Sequence, residues 1–148
     1  MKFVNTEVVL REIPTEISLA FNISGCPFRC PGCHSIELRE DIGHELTFDA
    51  IEEEINNHPG ISCILLMGGD SDRYYIYDIA KHFNDKYKIA WYSGSDDQII
   101  LEEAKDYLNY IKLGSWQKDK GPLNSKTTNQ RLYEVINGEI INITNKLQ

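Results

Sequence analysis

Short apolar runs alternate with amphipathic segments through most of the chain. From Ile17 to Ile23 the large apolar side chains stand at every second position, which is the periodicity of a strand. Cys63–Met67 and Ile89–Tyr92 are unbroken apolar runs of strand length, as expected for strands that are covered on both faces. Tyr110–Gly114 is predicted to be a fourth strand. The pattern therefore predicts four strands, at least two of them fully buried.

Segments of helical period lie between these strands. A first helix is predicted from about Thr47 to Asn57, because Thr47 can serve as its N-cap and Pro59-Gly60 follows its end. A third helix is predicted around Ile99–Leu108. The second helix is indicated by apolar residues that recur at spacings of three and four, namely Ile76, Ile79, Ala80 and Phe83.

Strands that alternate with helices over short connections favour parallel βαβ units. At 148 residues the chain has room for about four or five such units, fewer than the eight of a closed barrel. Ser115–Asn129 is polar and reads as a loop. Leu132–Ile136 and Glu139–Ile143 flank Asn137-Gly138, which is typical of a type I′ hairpin turn. With no repeat or linker in evidence, a single domain over residues 1–148 is expected.

Composition and charge narrow the classes of function. The net charge is −8, whereas a nucleic-acid-binding surface is basic, so we expect no nucleic-acid partner. No apolar run approaches the ~18 residues of a spanning helix, and no membrane partner is expected. The N-terminal residues lack the apolar segment of a signal peptide. The four cysteines are therefore expected to be reduced thiols in the cytoplasm.

The chemistry of the chain is concentrated between Gly25 and His34. Three of the four cysteines, Cys26, Cys30 and Cys33, lie in these ten residues with the spacing C-x3-C-x2-C. Thiolates are soft ligands, and three of them on one tight loop can point at a single centre. The loop follows directly on the first predicted strand. A metal site is therefore the first hypothesis.

The residues alone leave three interpretations open. A structural zinc site would use the three cysteines with His34 or Cys63 as fourth ligand, although zinc sites favour two separated pairs. A redox dithiol would use Cys30-Pro31-Gly32-Cys33 and leave Cys26 without a role. A 4Fe–4S cluster would be held at three irons by cysteine, with the fourth iron open to a substrate. Cys63 itself opens an apolar strand and reads as a buried small side chain.

Several motifs resemble one known family. Gly25–His34 is similar to the cysteine loop of the radical S-adenosylmethionine enzymes and, more narrowly, to that of the small activating enzymes of anaerobic ribonucleotide reductase. Gly68-Gly69-Asp70 resembles the family's motif for the methionyl amino group. Tyr92-Ser93-Gly94 stands where these activases carry Tyr-Thr-Gly. Lys112-Leu113-Gly114 and Thr127–Tyr133 resemble the activase ending, so the likeness runs from about residue 17 to residue 143.

The resemblance implies an α/β fold, a partial, open (βα) barrel of the radical SAM type with a C-terminal β-hairpin. It implies one [4Fe–4S] cluster per chain, with Cys26, Cys30 and Cys33 as its three ligands. S-adenosylmethionine would be the second cofactor. Asp70 would accept a hydrogen bond from its ammonium group, and Ser93 would contact its carboxylate or ribose. The residues implied at this cofactor are Gly32, Cys33, His34, Gly68, Gly69, Asp70 and Ser93.

The resemblance also implies an activity and partners. The activity is reductive cleavage of S-adenosylmethionine to a 5′-deoxyadenosyl radical, which generates a glycyl radical on anaerobic ribonucleoside-triphosphate reductase. A low-potential electron donor such as flavodoxin or ferredoxin would supply the electron. Alternatives are a radical SAM enzyme that acts on another glycyl-radical enzyme or a small molecule, and a non-catalytic zinc-binding adaptor domain. The sequence leaves the roles of Arg29 and of Thr127–Arg131 open.

Overall fold

The strands and helices follow the apolar pattern of the sequence. The computed structural model describes all of residues 1–148. The strands are β1 Lys2–Val9, β2 Ser18–Ile23, β3 His44–Glu45, β4 Cys63–Met67, β5 Lys88–Tyr92, β6 Tyr110–Leu113, β7 Arg131–Ile136 and β8 Glu139–Asn142. The α-helices are α1 Phe48–Asn57, α2 Arg73–Phe83 and α3 Ile99–Ala104. Short 3₁₀ turns lie at Ile36–Arg39, Asp70–Asp72 and Thr144–Leu147.

All eight strands belong to one sheet, in the order β3-β1-β2-β4-β5-β6-β7-β8. The middle four, β2, β4, β5 and β6, are parallel to one another. On either side the sheet is extended by antiparallel pairings, β3-β1-β2 at one edge and β6-β7-β8 at the other. Each of α1, α2 and α3 connects one parallel strand to the next. Because these four strands run in the same direction, the carboxyl ends of β2, β4, β5 and β6 all lie at one edge of the sheet. The radical SAM type of barrel stays a prediction.

Both faces of the sheet are covered. The helices pack on one face, where the larger apolar cluster contains Phe21, Leu66 and Trp91. On the other face, Ala20 and Leu65 of the sheet pack against Ile13 and other side chains from the connecting segments. Burial on two faces explains why β4 reads as a continuous apolar run in the sequence.

The element boundaries differ from prediction at two places. The predicted α1 is present, and the Thr47 hydroxyl accepts the expected hydrogen bond from the Ala50 N–H at 3.0 Å. The predicted third helix is wrong in its length, because it ends at Ala104 rather than Leu108. The Ala104 carbonyl accepts from both Tyr107 N and Leu108 N at 2.9 Å, so the chain tightens there into a turn.

Residues 1–16 received no element in the sequence analysis, yet β1 occupies half of them. At the other end of the chain, Asn137 and Gly138 both have positive φ, 51° and 80°, and connect β7 to β8 as the type I′ turn requires.

Candidate metal centre

Three loops meet at the carboxyl edge of the parallel strands. The cysteine loop, Ser24–Ser35, follows β2. The glycine loop, Gly68–Asp70, follows β4, and Ser93–Asp96 follows β5. A fourth stretch, Gly114–Gly121, follows β6 and is called the 114–121 segment. The carboxyl edge of a parallel sheet is where open α/β folds bind ligands.

The cysteine loop is closed by backbone hydrogen bonds. Gly25 N–H donates to Glu40 O at 3.0 Å, and Cys26 N–H donates to Leu38 O at 2.8 Å. Gly25 has a φ of 74°, a region that L side chains rarely adopt, which explains the glycine at this turn. Residues 38–40 therefore return alongside the start of the loop and fix where the first thiol emerges.

The three thiols of this loop are free and partly exposed. Burial raises the pKa of Cys26 most, the Phe28 backbone lowers it, and charge on Asp70, Cys30 and Cys33 raises it further. The thiols thus lie within electrostatic range of one another. Ser35 N–H donates to Cys33 Sγ at 3.4 Å. Three neighbouring thiols on one loop are a donor set that suits an iron–sulfur cluster.

The C-terminal half of the cysteine loop has partners outside the loop. Cys33 N–H donates to Cys30 O at 3.2 Å, and the Arg39 guanidinium donates to the same carbonyl at 3.1 Å. The Trp116 indole N–H donates to Gly32 O at 3.0 Å. The His34 ring is exposed and meets the Trp116 ring edge-on, with 5.0 Å between centroids. Gly32 and His34 therefore contact the 114–121 segment.

The glycine loop is held by the core. Gly68 has a φ of 109° and Gly69 a φ of 87°. A Cβ on Gly69 would lie 2.6 Å from the end of the Ile76 side chain, so any larger residue there would force that buried side chain of α2 to shift. The indole N–H of the fully buried Trp91 donates to Gly68 O at 2.7 Å. The backbone of the glycine loop is thus held in place by the buried side chains of Ile76 and Trp91.

The structure brings Asp70 and Ser93 into direct contact. The Ser93 hydroxyl donates to one carboxylate oxygen of Asp70, and Gly94 N–H donates to the other at 3.1 Å. Burial nevertheless raises the pKa of Asp70, although the bonds from Ser93 and Gly94 and the charge of Lys112 oppose that rise. Asp70 is thus a partly buried acceptor within electrostatic range of Cys26 in the cysteine loop.

Lys112 is a site residue that the sequence analysis missed. It lies in β6, only 8% exposed, and its ammonium donates to Gly114 O at 3.2 Å. Burial lowers its pKa to about 8, while Asp70, Cys30 and Asp96 act in the opposite direction. Lys112 pairs with Tyr92 of β5, its ammonium lies 5.7 Å from the centre of the Tyr92 ring, and it is within electrostatic range of Cys30. The signal was available, since a lysine inside a buried strand is rare.

Contacts also connect the cysteine loop directly with the residues after β5. A Cβ on Gly94 would lie 2.9 Å from the Phe28 ring, so the ring packs against the Gly94 backbone. Cys63 lies apart, at the first residue of β4, and is fully buried as predicted. Burial raises the pKa of its thiol to about 12. Arg29 is exposed and has no side-chain partner.

Of the stretch Thr127–Arg131, Thr128 and Gln130 are buried and the others are partly or fully exposed. The Thr127 hydroxyl donates to Lys120 O at 2.7 Å, and Arg131 donates to Thr128 O and Gln130 O. These contacts close the polar loop before β7.

No group of three or more His, Cys, Asp or Glu side chains is arranged to hold a single metal ion.

The comparison with protein families identifies the class. The model of the 4Fe-4S single cluster domain matches residues 17–136, and the chain belongs to that family. The match contains all of β2 to β7 and the whole cysteine loop. It supports a 4Fe–4S cluster, and hence an iron–sulfur protein, over the zinc and dithiol interpretations.

Searches of curated proteins and of solved structures found no match. None of the three α-helices combines the length and the apolar character that a membrane crossing requires.

Proposed function

We propose that the protein is a radical S-adenosylmethionine enzyme that activates a glycyl-radical enzyme, with anaerobic ribonucleoside-triphosphate reductase as its substrate. The observation that carries the proposal is the meeting of three features at one sheet edge. These are a cysteine loop in a 4Fe-4S single cluster domain, a glycine loop whose two glycines have positive φ, and a partly buried carboxylate.

The cluster would be held by Cys26, Cys30 and Cys33, one in each position of the C-x3-C-x2-C spacing. When bound, it supplies a single low-potential electron to S-adenosylmethionine, replenished by a donor such as flavodoxin or ferredoxin. This chemistry would cleave S-adenosylmethionine to methionine and a 5′-deoxyadenosyl radical, which would take a hydrogen atom from a glycine Cα of the reductase and so leave 5′-deoxyadenosine and a glycyl radical.

The residues of this chain would bind and orient the sulfonium cofactor. Asp70 is held by Ser93 and Gly94 and can accept a hydrogen bond from the methionyl ammonium. Gly68 and Gly69 leave backbone groups without side chains in the way. Ser93 is fully buried and already donates to Asp70, so its primary role would be to orient that carboxylate. Gly32, Cys33 and His34 would border the cofactor from the cysteine loop.

Two variants of one loop test the role of Asp70. Asp70→Asn keeps the shape and removes the charge, whereas Asp72→Asn changes an exposed residue whose carboxylate caps α2, a role that asparagine also fills. In anaerobically reconstituted protein, we expect Asp70→Asn to weaken S-adenosylmethionine binding about tenfold with iron content unchanged, a loss of the size of one charge-assisted hydrogen bond. Asp72→Asn should bind as the parent does.

Activation is tested with the cognate reductase, S-adenosylmethionine and a strong reductant. The expected product is a glycyl-radical doublet in electron paramagnetic resonance, absent when the reductase's radical-site glycine is replaced by alanine. The partner assignment would be wrong if S-adenosylmethionine were cleaved efficiently with a small molecule or another glycyl-radical enzyme and not with the reductase. Uptake of one zinc ion and no iron would instead support the alternative of a non-catalytic zinc-binding adaptor domain.

A further inference from the structure

Trp116 is the single aromatic residue in the polar stretch from Ser115 to Asn129. Its indole N–H donates to Gly32 O, the carbonyl that lies inside the turn between Cys30 and Cys33. The Lys118 stem packs over the same glycine, where a Cβ would be 3.4 Å from Lys118 Cδ. The turn that carries two of the three thiols therefore rests against side chains of the 114–121 segment.

The 114–121 segment is in turn fixed to the scaffold. Gly114 N–H donates to Ser95 O at 2.8 Å, and Ser115 N–H donates to the Asp96 carboxylate at 3.0 Å. The Asn129 amide donates to Ser115 O at 3.0 Å. Trp116 follows directly on these bonds, so its indole connects the thiol-bearing turn to the ends of β5 and β6.

The two tryptophans of the chain make the same kind of bond. Trp91 donates to Gly68 O and Trp116 to Gly32 O. Gly68 has a φ of 109° and Gly32 a φ of 71°. Glycine has no side chain to restrict its backbone angles, so an outside contact is needed to hold the orientation of each peptide group. Trp91 is fully buried, whereas Trp116 is only partly covered and faces the Cys30–Cys33 turn. No core packing requires an aromatic residue at position 116.

We infer that Trp116 is a positioning residue for the cluster. By accepting the indole N–H, the Gly32 carbonyl sets the plane of the peptide that leads into Cys33 and hence the direction of that thiol. The Trp116 ring, together with the Lys118 stem, covers part of this side of the turn, and such cover reduces the number of waters next to a bound cluster. Fewer waters disfavour the reduced cluster, which carries one more negative charge, so the indole holds the reduction potential low. This effect on the cluster is independent of whether S-adenosylmethionine is the substrate.

The test uses the whole chain reconstituted with its cluster, without S-adenosylmethionine or reductase. Its result therefore does not depend on whether the proposed reaction is correct. Trp116→Phe keeps a ring and removes the N–H, and Trp116→Ala removes both. Gln117→Ala is the matched control, because the neighbouring side chain makes no hydrogen bond to the cysteine loop. The readouts are the rate at which visible absorbance fades in air, the reduction potential, and the unfolding midpoint of the apo protein.

We expect Trp116→Phe to bleach several times faster than the parent and Trp116→Ala at least tenfold faster. In Trp116→Ala the ratio of reduced to oxidised cluster at a fixed potential should rise about tenfold, which is a potential about 59 mV higher for one electron. Gln117→Ala should match the parent. The inference is overturned if Trp116→Phe keeps the parent's potential and bleaching rate, if its unfolding midpoint alone changes, or if Gln117→Ala shows the same changes.

Discussion

The cysteine loop and the glycine loop lie at the same sheet edge but are stabilised differently. Behind the glycine loop stand the fully buried side chains of Trp91 and Ile76, so its backbone belongs to the core. The cysteine loop has no residue in either apolar cluster and is held by hydrogen bonds from Arg39, Trp116 and its own backbone. The loop that would orient a cofactor is thus held by core packing, whereas the loop that would hold the metal is held mainly by hydrogen bonds.

The largest effect should come from removing a thiol. Cys26→Ala, Cys30→Ala or Cys33→Ala is expected to abolish the uptake of about four irons and four sulfides per chain, because an open-iron cluster has no ligand to spare. The apo proteins should unfold within about 0.5 kcal/mol of the parent, since these side chains lie outside the core. Iron and sulfide analysis with thermal unfolding measures both.

Cys63→Ala is the opposite control for that prediction. It should retain iron and lose stability, because the Cys63 side chain is fully buried among the residues under the sheet. Iron loss in Cys63→Ala, or retention in the loop variants, would contradict the ligand set.

A matched pair of glycines compares the two loops directly. Gly69→Ala and Gly32→Ala both place a Cβ on a residue with positive φ, at about 1–2 kcal/mol each. Gly69→Ala also overlaps Ile76 at 2.6 Å and should lose a further 1–3 kcal/mol, whereas Gly32→Ala meets its nearest neighbour at 3.4 Å. Chemical denaturation of the apo proteins should therefore rank Gly69→Ala as the more destabilised. Equal losses would mean that the glycine loop is not held by the core.

Lys112 gives a pH-dependent test. Its pKa falls from 10.5 to about 8 on burial, which corresponds to about 3 kcal/mol of lost stability while the lysine is charged. Below pH 8 the full cost is present, and it disappears as the pH rises from 8 towards 10.5, because the folded state releases the proton first. Apo Lys112→Met should therefore be more stable than the parent at pH 7 by about 1–3 kcal/mol, a range that allows for the lost bond to Gly114.

The gap between Lys112→Met and the parent should narrow by pH 10, and urea unfolding at the two pH values measures it. Taking the difference between the two proteins removes the titration of the tyrosines and thiols that they share. A gap that stays constant with pH would contradict the lowered pKa of Lys112.

The smallest expected effect concerns the contact between the loops. Gly94→Ala should change the unfolding free energy by less than about 1 kcal/mol, because the Phe28 ring it meets at 2.9 Å can rotate away. The displaced ring should increase hydrogen exchange in the cysteine loop. In a double-mutant cycle, Phe28→Ala should remove the effect of Gly94→Ala on exchange. Additive effects of the two substitutions would show that Phe28 does not couple the loops.

The framework was largely readable from the sequence, since apolar periodicity records which faces are buried. Strands β2, β4, β5 and β6 and helix α1 were predicted close to their observed bounds. β1 was missed because it lies towards one edge of the sheet and has a single fully buried residue, Phe3, together with a register shift. Its pattern therefore alternates poorly.

The site was only partly readable. The cysteines and Asp70 carry their chemistry in their own residue types, so a motif can reveal them. Lys112 and Trp116 act through where the fold places them, and local sequence does not encode that placement. A charged residue in an apolar run and a tryptophan in a polar loop were the two signals that could have pointed to them.

Because the three thiols of the cysteine loop lie outside both apolar clusters, we expect the polypeptide to complete its fold before any iron arrives. Zinc fingers show the contrary arrangement, in which metal binding supplies the folding free energy. A cell starved of iron would then accumulate a folded apo form rather than degraded chain. Delivery of iron and sulfide would convert this reserve to the mature form without new protein synthesis, and the supply of clusters, not of polypeptide, would set how fast the protein becomes competent.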